Sequence, residues 1–326
     1  MSKKQGGMSR AILAAGAALW MAVTASSAAA QDAQPIKMIV PFGAGSSVDI
    51  LARVTAEKTA HYLGQPIVID NKAGAGGGVG AAAAAHSPAN GLTLFFGTAG
   101  THGINPSLYS KLSYDPVKDF DPVAAVSSSA NVLVVHPANG PKTLSEFIAV
   151  AKASPGKLTM GSGGNGTTPH LSGVLLARVS GISTVHVPYK SGAVLDVMSG
   201  LLSYSFESVP SALPFIQSGR LRALAVTDIQ RVALLPDVPT IAESGFPGYQ
   251  VMAWTGIFAP AGTPPAAIKK INAAVNQALR DPELRQRFAD LGSSALGGTP
   301  QQLGERVAFE MKRWPAIIKD ANVTID

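Results

Sequence analysis

Two glycine-rich segments hold the residues of this sequence that are best suited to binding chemistry. Pro41–Asp49 (PFGAGSSVD) and Gly161–His170 (GSGGNGTTPH) each follow an apolar run and precede a helical pattern. The first backbone N–H groups of a helix have no partner within it and carry partial positive charge, so each turn can hold an anion without lysine or arginine. We interpret the turns as two sides of one ligand site, while ordinary turn chemistry with nothing bound is the alternative.

The candidate ligand contacts come first from these turns. Phe42 supplies apolar contact, backbone N–H groups of residues 43–47 form one anion site, and residues 165–168 form the other. Asp49 has two interpretations, because Ser46-x-x-Asp49 has the spacing of a capping box and a carboxylate there can instead contact a ligand. The set predicted from the turns is Phe42, Gly43, Ala44, Gly45, Ser46, Ser47, Asp49, Asn165, Gly166, Thr167, Thr168 and His170.

Enzymatic and cofactor chemistry has weaker support. Gly74–Gly80 (GAGGGVG) is similar to a dinucleotide fingerprint, but no acidic residue stands about 20 residues further on. With no cysteine and six scattered histidines outside any His-Glu-x-x-His pattern, we predict neither a metal nor a cofactor. A Gly-x-Ser-x-Gly elbow is also missing. The alternative that stays open is a secreted α/β hydrolase-like enzyme acting on a carboxylic substrate through Ser162 or His170.

The first thirty residues have the three parts of an export signal. Its basic residues are Lys3, Lys4 and Arg10. The apolar run 11–23 follows, and Ala28–Ala30 ends the segment with small side chains. The apolar run is shorter than the ~20 residues that a membrane-spanning helix needs. We therefore predict a signal peptide, residues 1–30, that is cleaved near Ala30 and leaves the chain free in the periplasm.

Length and charge narrow the classes of partner. The chain has 326 residues, 46% of them hydrophobic, which favours two packed domains over one. Three of the 26 lysines and arginines lie in the signal segment, which leaves 23 basic residues against 20 acidic ones. So small an excess gives little support to nucleic-acid or membrane binding. We predict a monomer with no nucleic-acid partner.

Around the two turns, the sequence alternates strand and helix patterns. Near-continuous apolar strands between helices are typical of a sheet covered on both faces. The predicted strands are Ile36–Phe42, Ile67–Asp70, Leu92–Gly97, Asn131–His136, Leu158–Gly161, Thr184–Pro188, Tyr204–Glu207, Ala223–Thr227 and Val251–Ala259. The predicted helices are Val48–Leu63, Val79–His86, one opening at the Thr143–Glu146 capping box, two near 170–180 and 191–200, and three beginning at Pro264, Pro282 and Pro300. Pro315 is expected to kink or end the last of these.

Eight ordered segments resemble the solute receptors of tripartite tricarboxylate transporters, the Bug-type family. Besides the two turns, they are Asp70–Gly80 (DNKAGAGGGVG), Tyr114–Pro122 (YDPVKDFDP), Val185–Lys190 (VHVPYK), Ser211–Pro214 (SALP), Leu221–Thr227 (LRALAVT) and Leu235–Gly245 (LPDVPTIAESG). The resemblance implies an α/β, two-lobed periplasmic binding protein of type II-like architecture. Each lobe is expected to be a mixed, mostly parallel sheet flanked by helices, with the ligand cleft between the lobes.

The resemblance also implies a function and further site residues. Members of this family capture a small carboxylate and deliver it to membrane permease subunits, so we expect a receptor that is not an enzyme. The turn at residues 98–102 adds Thr101 and His102 to the predicted ligand set. Glu207 joins the set because it stands where the family usually has aspartate. Gly43 replaces a proline that is common in the family.

The two lobes are predicted to be discontinuous in sequence. The resembling family has a hinge that the chain crosses twice, and the strand pattern from Val251 follows the second series of strands and helices. Lobe 1 is then residues 31–130 plus 252–326, and lobe 2 is residues 131–251. The helical tail is expected to pack on lobe 1.

Overall fold

The computed structural model of the protein describes residues 34–189 and 193–320. The predicted signal peptide lies outside the described residues. The strands are β1 (Ile36–Val40), β2 (Ile67–Asn71), β3 (Thr93–Thr98), β4 (Phe120–Val135), β5 (Thr159–Ser162), β6 (Val185–Pro188), β7 (Tyr204–Ser208), β8 (Arg222–Val226), β9 (Met252–Pro260) and β10 (Ser293–Gly297). The helices are α1 (Ser47–Leu63), α2 (Gly78–Ala85), α3 (Asn105–Leu108), α4 (Leu144–Ala153), α5 (Thr168–Ser180), α6 (Val194–Met198), α7 (Val209–Gln217), α8 (Pro265–Arg280), α9 (Pro282–Asp290) and α10 (Pro300–Asp320).

One 16-residue strand, β4, runs through both parts of the sheet. Its residues 120–130 pair antiparallel with β9 and β10, and its residues 131–135 pair antiparallel with β7 and β8. We call the first part, which also contains β1, β2 and β3, half-sheet A. The second part, which also contains β5 and β6, is half-sheet B.

Pairing is parallel in the outer strands of each half-sheet. In half-sheet A, β1 lies between β2 and β3, and Met38 stands opposite Ile69 and Leu94. In half-sheet B, β5 lies between β6 and β7. The predicted mixed α/β fold is confirmed. The sheet is less parallel than predicted, because five of the nine described strand pairs are antiparallel, all of them involving β4 or β9.

Helices cover both faces of the sheet. Along β4, Leu133 and Val135 belong to the apolar cluster under α4 and α5, whereas Val132 and Val134 belong to the cluster under α6 and α7. This alternation is the period-two pattern of a strand that is buried on both sides. Among the described residues, no helix combines the length and apolar character needed to cross a bilayer.

The two helices that follow the glycine turns begin and end in the same way. The hydroxyls of Ser46 and Thr167 cap the first turns of α1 and α5, because each accepts a backbone N–H three residues later. Both helices stop at a glycine in the left-handed region, Gly64 with φ of 68° and Gly181 with φ of 72°. Local sequence therefore sets where each helix starts, and with it where the turn before it must stand.

The C-terminal helix α10 is shared between the two halves. Leu303 and Val307 lie in the apolar cluster around β1, β3 and β9, whereas Trp314 and Ile317 lie in the cluster around half-sheet B. Of the two effects expected of Pro315, a kink or an end of the helix, the end is wrong, since α10 continues to Asp320. A proline removes one backbone hydrogen bond, and the packing of the last turns on half-sheet B favours their helical form.

Candidate ligand site

The first glycine turn is held by the carboxylate of Asp49. This carboxylate accepts the Gly45 N–H at 2.9 Å, Nε of Arg53 at 2.9 Å and Nδ2 of Asn71 at 2.8 Å. The same Asn71 amide donates to the carbonyl of Phe42 at 2.9 Å, which fixes the entry to the turn. Burial alone would raise the pKa of Asp49, but the hydrogen bonds from Arg53, Asn71 and Gly45 hold it below its usual value. Of the two interpretations of Asp49, these contacts favour support of the turn.

Several donors at the start of α1 have no partner among the described residues. The hydroxyl of Ser46 accepts the Asp49 N–H at 3.2 Å. The backbone N–H groups of Ser47 and Val48 have no such partner among the described residues. Gly43, Ala44 and Gly45 are exposed. The start of α1 therefore presents free N–H groups beside an accessible turn.

The second glycine turn is stabilised mainly by uncharged groups. The hydroxyl of Thr167 donates to the Gly164 carbonyl at 2.7 Å and accepts the His170 N–H at 3.4 Å. The Gly166 N–H donates to Nδ1 of His170 at 3.3 Å. The Thr167 proton, predicted from sequence to serve the ligand, is used inside the turn. Neither the Thr168 backbone N–H nor its hydroxyl has a partner within residues 34–189 and 193–320.

Two buried residues, Ser162 and His170, and the half-buried His186 form a cluster at this turn. The imidazoles of His170 and His186 stack with their centroids 4.0 Å apart and their planes at 17°. Nε2 of His186 lies 2.7 Å from Oγ of Ser162, which also accepts the Gly164 N–H at 3.2 Å. Burial lowers the pKa of His170 to about 3 and that of His186 to about 4. Sequence analysis assigned no base to Ser162, and it missed His186.

The side chains of Thr101 and His102, in the turn at residues 98–102, are fully buried. The hydroxyl of Thr101 accepts the Thr98 N–H at 3.0 Å and lies 2.9 Å from Nδ1 of His102. The His102 ring is fully buried and stacks on Phe258 with the centroids 3.7 Å apart. Burial lowers its pKa to about 3. The predicted ligand contact at His102 is therefore corrected, because its ring belongs to the aromatic core.

The turns of the two halves contact one another through glycines. A Cβ atom on Gly76 would lie 2.4 Å from the Asn165 carbonyl oxygen, and one on Gly100 would lie 2.9 Å from that of Gly166. The ring of Phe42 lies next to this region, since a Cβ on Gly77 would be 3.7 Å from it. No side chain fits at Gly76 or Gly100 without moving the backbone. The structure thus brings the predicted second turn against residues 76 and 100.

A serine pair also links the halves. The Ser208 hydroxyl at the start of α7 donates to that of Ser47 at 3.2 Å, although 161 positions separate them in sequence. Sequence analysis missed Ser208, because no local pattern marks a contact at that separation.

Glu207 precedes Ser208 at the end of β7 and is only 4% exposed. Its Oε1 accepts the Ala193 N–H at 3.1 Å. Burial raises its pKa to about 7. Glu207 is therefore a carboxyl group that changes charge near neutral pH at the same end of half-sheet B as the second turn.

A surface groove lies elsewhere on the molecule. It measures about 790 Å³ and runs between α8 and α10, with Pro265, Ile268 and Ala308 among its lining residues. None of the predicted ligand residues lines it. The candidate site is therefore defined by the donors and contacts of the turns.

Solved structures give the class of protein that this fold and site define. The adipate-bound protein Rpa4515 of R. palustris is 33% identical, covers 89% of this chain and 98% of its own, and superposes with a TM-score of 0.85. MatC of Rhodopseudomonas palustris, solved with malate, is 36% identical, covers 87% of this chain and 98% of its own, and has a TM-score of 0.82. The class is that of the periplasmic solute-binding proteins.

A family model identifies the group within this class. The model of the tripartite tricarboxylate transporter family receptor matches residues 51–323, and the chain belongs to this family. BugT of Bordetella pertussis (strain Tohama I) is 36% identical over 296 residues, which are 90% of this chain and 91% of that protein. The resemblance drawn from the eight sequence segments is confirmed.

Proposed function

We propose that this chain is a periplasmic receptor that captures a small carboxylate and passes it to the permease subunits of a tripartite tricarboxylate transporter. The observation that carries the proposal is the pair of helix starts, α1 and α5, with unpaired N–H groups, together with the contact of residues 76 and 100 with the second turn. Related receptors were solved with adipate and with malate, both of which carry carboxylates.

The donors on each side are neutral. We assign the anion contacts to the N–H groups of Ser47 and Val48 on one side and to the N–H and hydroxyl of Thr168 on the other, with Phe42 as the apolar wall. Neutral donors contribute about 0.5–1.5 kcal/mol each, and more when the acceptor is charged. Several of them together supply the ~8 kcal/mol that micromolar affinity requires. Asp49, Thr167 and His170 then position the turns rather than touch the ligand.

The proposed lobes meet where the chain crosses between the half-sheets. Thr227 joins both crossings, because its hydroxyl accepts the Asn131 N–H at 2.8 Å and donates to the Val251 carbonyl at 2.6 Å. These contacts support lobe 1 as residues 31–130 plus 252–326 and lobe 2 as residues 131–251. α10 packs on both, so it spans the proposed hinge.

Export and the absence of catalysis complete the proposal. A basic start, an apolar run and a small-residue end support cleavage near Ala30 and a periplasmic, monomeric chain. The Ser162–His186 pair favours a structural role over the hydrolase alternative, since the Ser162 side chain is fully buried and already accepts a backbone N–H.

Titration calorimetry of the chain from residue 31 against mono- and dicarboxylates, malate and adipate included, tests the proposal. We expect micromolar binding of at least one acid and no product after prolonged incubation. Thr168→Val keeps the side-chain shape and removes one donor, so it is expected to weaken binding about tenfold. Thr159→Val removes a hydroxyl that bonds Ser203 instead and serves as the matched control. Binding of none of the acids, or turnover of any, contradicts the proposal.

A further inference from the structure

We propose that His170 and His186 are positioning residues whose stacked rings hold the second glycine turn in its ligand-binding shape. This inference rests on the proposed function, because it gives these side chains a role in presenting the donors of Thr168. Neither histidine is assigned contact with the ligand.

The turn needs support from outside itself. It has glycines at 161, 163, 164 and 166, and φ is 114° at Gly164 and 77° at Gly166. Glycine adopts many backbone conformations, so such a segment loses more entropy on ordering than a segment of other residues. Nothing lies within 4 Å of a Cβ placed on Gly163, so packing does not hold the tip of the turn there.

The histidine cluster supplies that support through two backbone N–H groups. Gly166 donates directly to Nδ1 of His170, at 3.3 Å. Gly164 donates to Oγ of Ser162, at 3.2 Å, and Oγ in turn lies 2.7 Å from Nε2 of His186. The stacking distance of 4.0 Å couples the two supports, because a shift of one ring displaces the other.

The geometry specifies a tautomer. Since the Gly166 N–H donates to Nδ1 of His170, that nitrogen carries a lone pair and the ring proton resides on Nε2. A protonated ring has no acceptor at Nδ1, and it would release Gly166. Burial keeps both rings neutral, with the pKa of His170 lowered to about 3 and that of His186 to about 4.

Paired substitutions distinguish the loss of a hydrogen-bonding group from a change in side-chain volume. His170→Asn retains an acceptor near the position of Nδ1, and His186→Gln retains a polar group near Nε2, whereas leucine at either position fills space without an acceptor. We expect each leucine variant to bind the carboxylate about tenfold more weakly and each amide variant to stay within about threefold of the wild type. His86→Leu and His86→Asn form the control pair, because His86 is exposed and bonds only within α2.

Nitrogen-15 NMR of the imidazoles tests the same inference without any ligand. We expect the Nε2–H tautomer for His170 at pH 7, and slowed hydrogen exchange of the Gly166 amide that is lost in His170→Leu. An Nδ1–H tautomer, or a His170→Leu variant that binds like the wild type, overturns the inference. If the leucine variants do not fold, the tautomer and the Asn and Gln variants still decide. If no carboxylate binds the wild type, the proposed function fails, while the NMR result still judges the positioning.

Discussion

The two glycine turns have similar sequences but are held by opposite kinds of chemistry. The first turn is exposed at Gly43–Gly45, and a carboxylate, a guanidinium and an amide brace it: Asp49, Arg53 and Asn71. The second is buried at Gly166–Thr168, and hydroxyls and neutral imidazoles brace it. Exposed turns can use charge because water solvates the half-exposed Arg53, whereas a buried turn cannot hold an unpaired charge cheaply.

Despite this contrast, the two turns expose the same kind of hydrogen-bond donor. Both turns present helix N–H groups, and neither contains lysine or arginine. Because the charges of the first turn are paired with each other, the net field at the site comes from the helix starts. The residues that brace the first turn and those that brace the second should therefore respond differently to pH and to substitutions that remove a charge.

The largest expected difference between the two turns is in how acid pH affects stability through the residues that brace them. The pKa of His170 is about 3 and that of His186 is about 4 in the folded chain, both below the unfolded value of 6.5. The unfolded chain therefore takes up protons first, and stability, complete above about pH 6.5, falls by roughly 1.4 kcal/mol per histidine per pH unit towards pH 3. We expect His170→Asn to flatten the pH dependence of urea unfolding between pH 6.5 and 4.5.

Asp49→Asn is the counterpart on the first turn. The pKa of Asp49 is already lowered, so its contribution to stability is present above the unfolded value of 3.8 and is lost only below it. The stability difference between Asp49→Asn and the wild type should be the same at pH 7 and pH 5. Equal pH responses of the two variants would remove the distinction between the turns.

Glu207 is a buried carboxyl group near the second turn, where the bracing groups are otherwise uncharged. Its substitution is expected to have the next largest effect on stability. Its pKa is raised from 4.5 to about 7, so stability is complete below about pH 4.5 and declines as pH rises through 7. Glu207→Gln should therefore be more stable than the wild type at pH 8 by up to roughly 3 kcal/mol, and equal to it at pH 4.5.

Ligand binding by the same variant distinguishes two kinds of acid. A plain carboxylate is expected to bind Glu207→Gln as well as the wild type or better at pH 8, because a like charge is gone. Weaker binding only of an acid that also carries an ammonium group would assign Glu207 to that group. Calorimetry at pH 6 and pH 8 provides both comparisons.

The contact between residue 100 and the second glycine turn is tested by substituting Gly100. Its backbone is not in the left-handed region, so Gly100→Ala adds only a Cβ, 2.9 Å from the Gly166 carbonyl. We expect affinity to fall by about tenfold or more, because fewer molecules adopt the arrangement in which residue 100 and the second turn are in contact. Gly304→Ala is the control, since its Cβ would lie 3.8 Å from Pro122 and alanine favours a helix. Wild-type affinity in Gly100→Ala would show that the contact is irrelevant to binding.

Sequence patterns predicted the parts of the fold that local rules determine. The limits of α1 and α5 follow from a capping hydroxyl and a terminal glycine, and the strands that precede both turns are apolar runs. Helix α7 was missed because Pro210 and Pro214 suggest a break, and residues 120–130 of β4 were missed because no turn separates them from the strand predicted from Asn131.

The sequence predicted where the two glycine turns stand between strand and helix, but not the directions of their side chains. Both turns were identified, but the direction of a side chain depends on packing that no local pattern records. His102 faces the ring of Phe258, 3.7 Å away, and His186 reaches Ser162 only through the register of β5 and β6. The 24 positions between Ser162 and His186 carry no spacing signal for that contact.

The smallest expected effect is at Thr167, and it distinguishes contact from support. Thr143 and Thr167 are equivalent caps, since the Thr143 hydroxyl accepts the Glu146 N–H at 3.1 Å. Valine at either position should cost about 1 kcal/mol of stability in urea unfolding. Only Thr167→Val should also weaken carboxylate binding, by about threefold, because its hydroxyl proton bonds Gly164 and acts on the ligand through the turn. Thr167→Ser keeps both bonds and should restore affinity. A loss in Thr167→Val as large as the tenfold loss expected for Thr168→Val would contradict the supporting role and make the hydroxyl a direct ligand contact, as its position in the sequence first suggested.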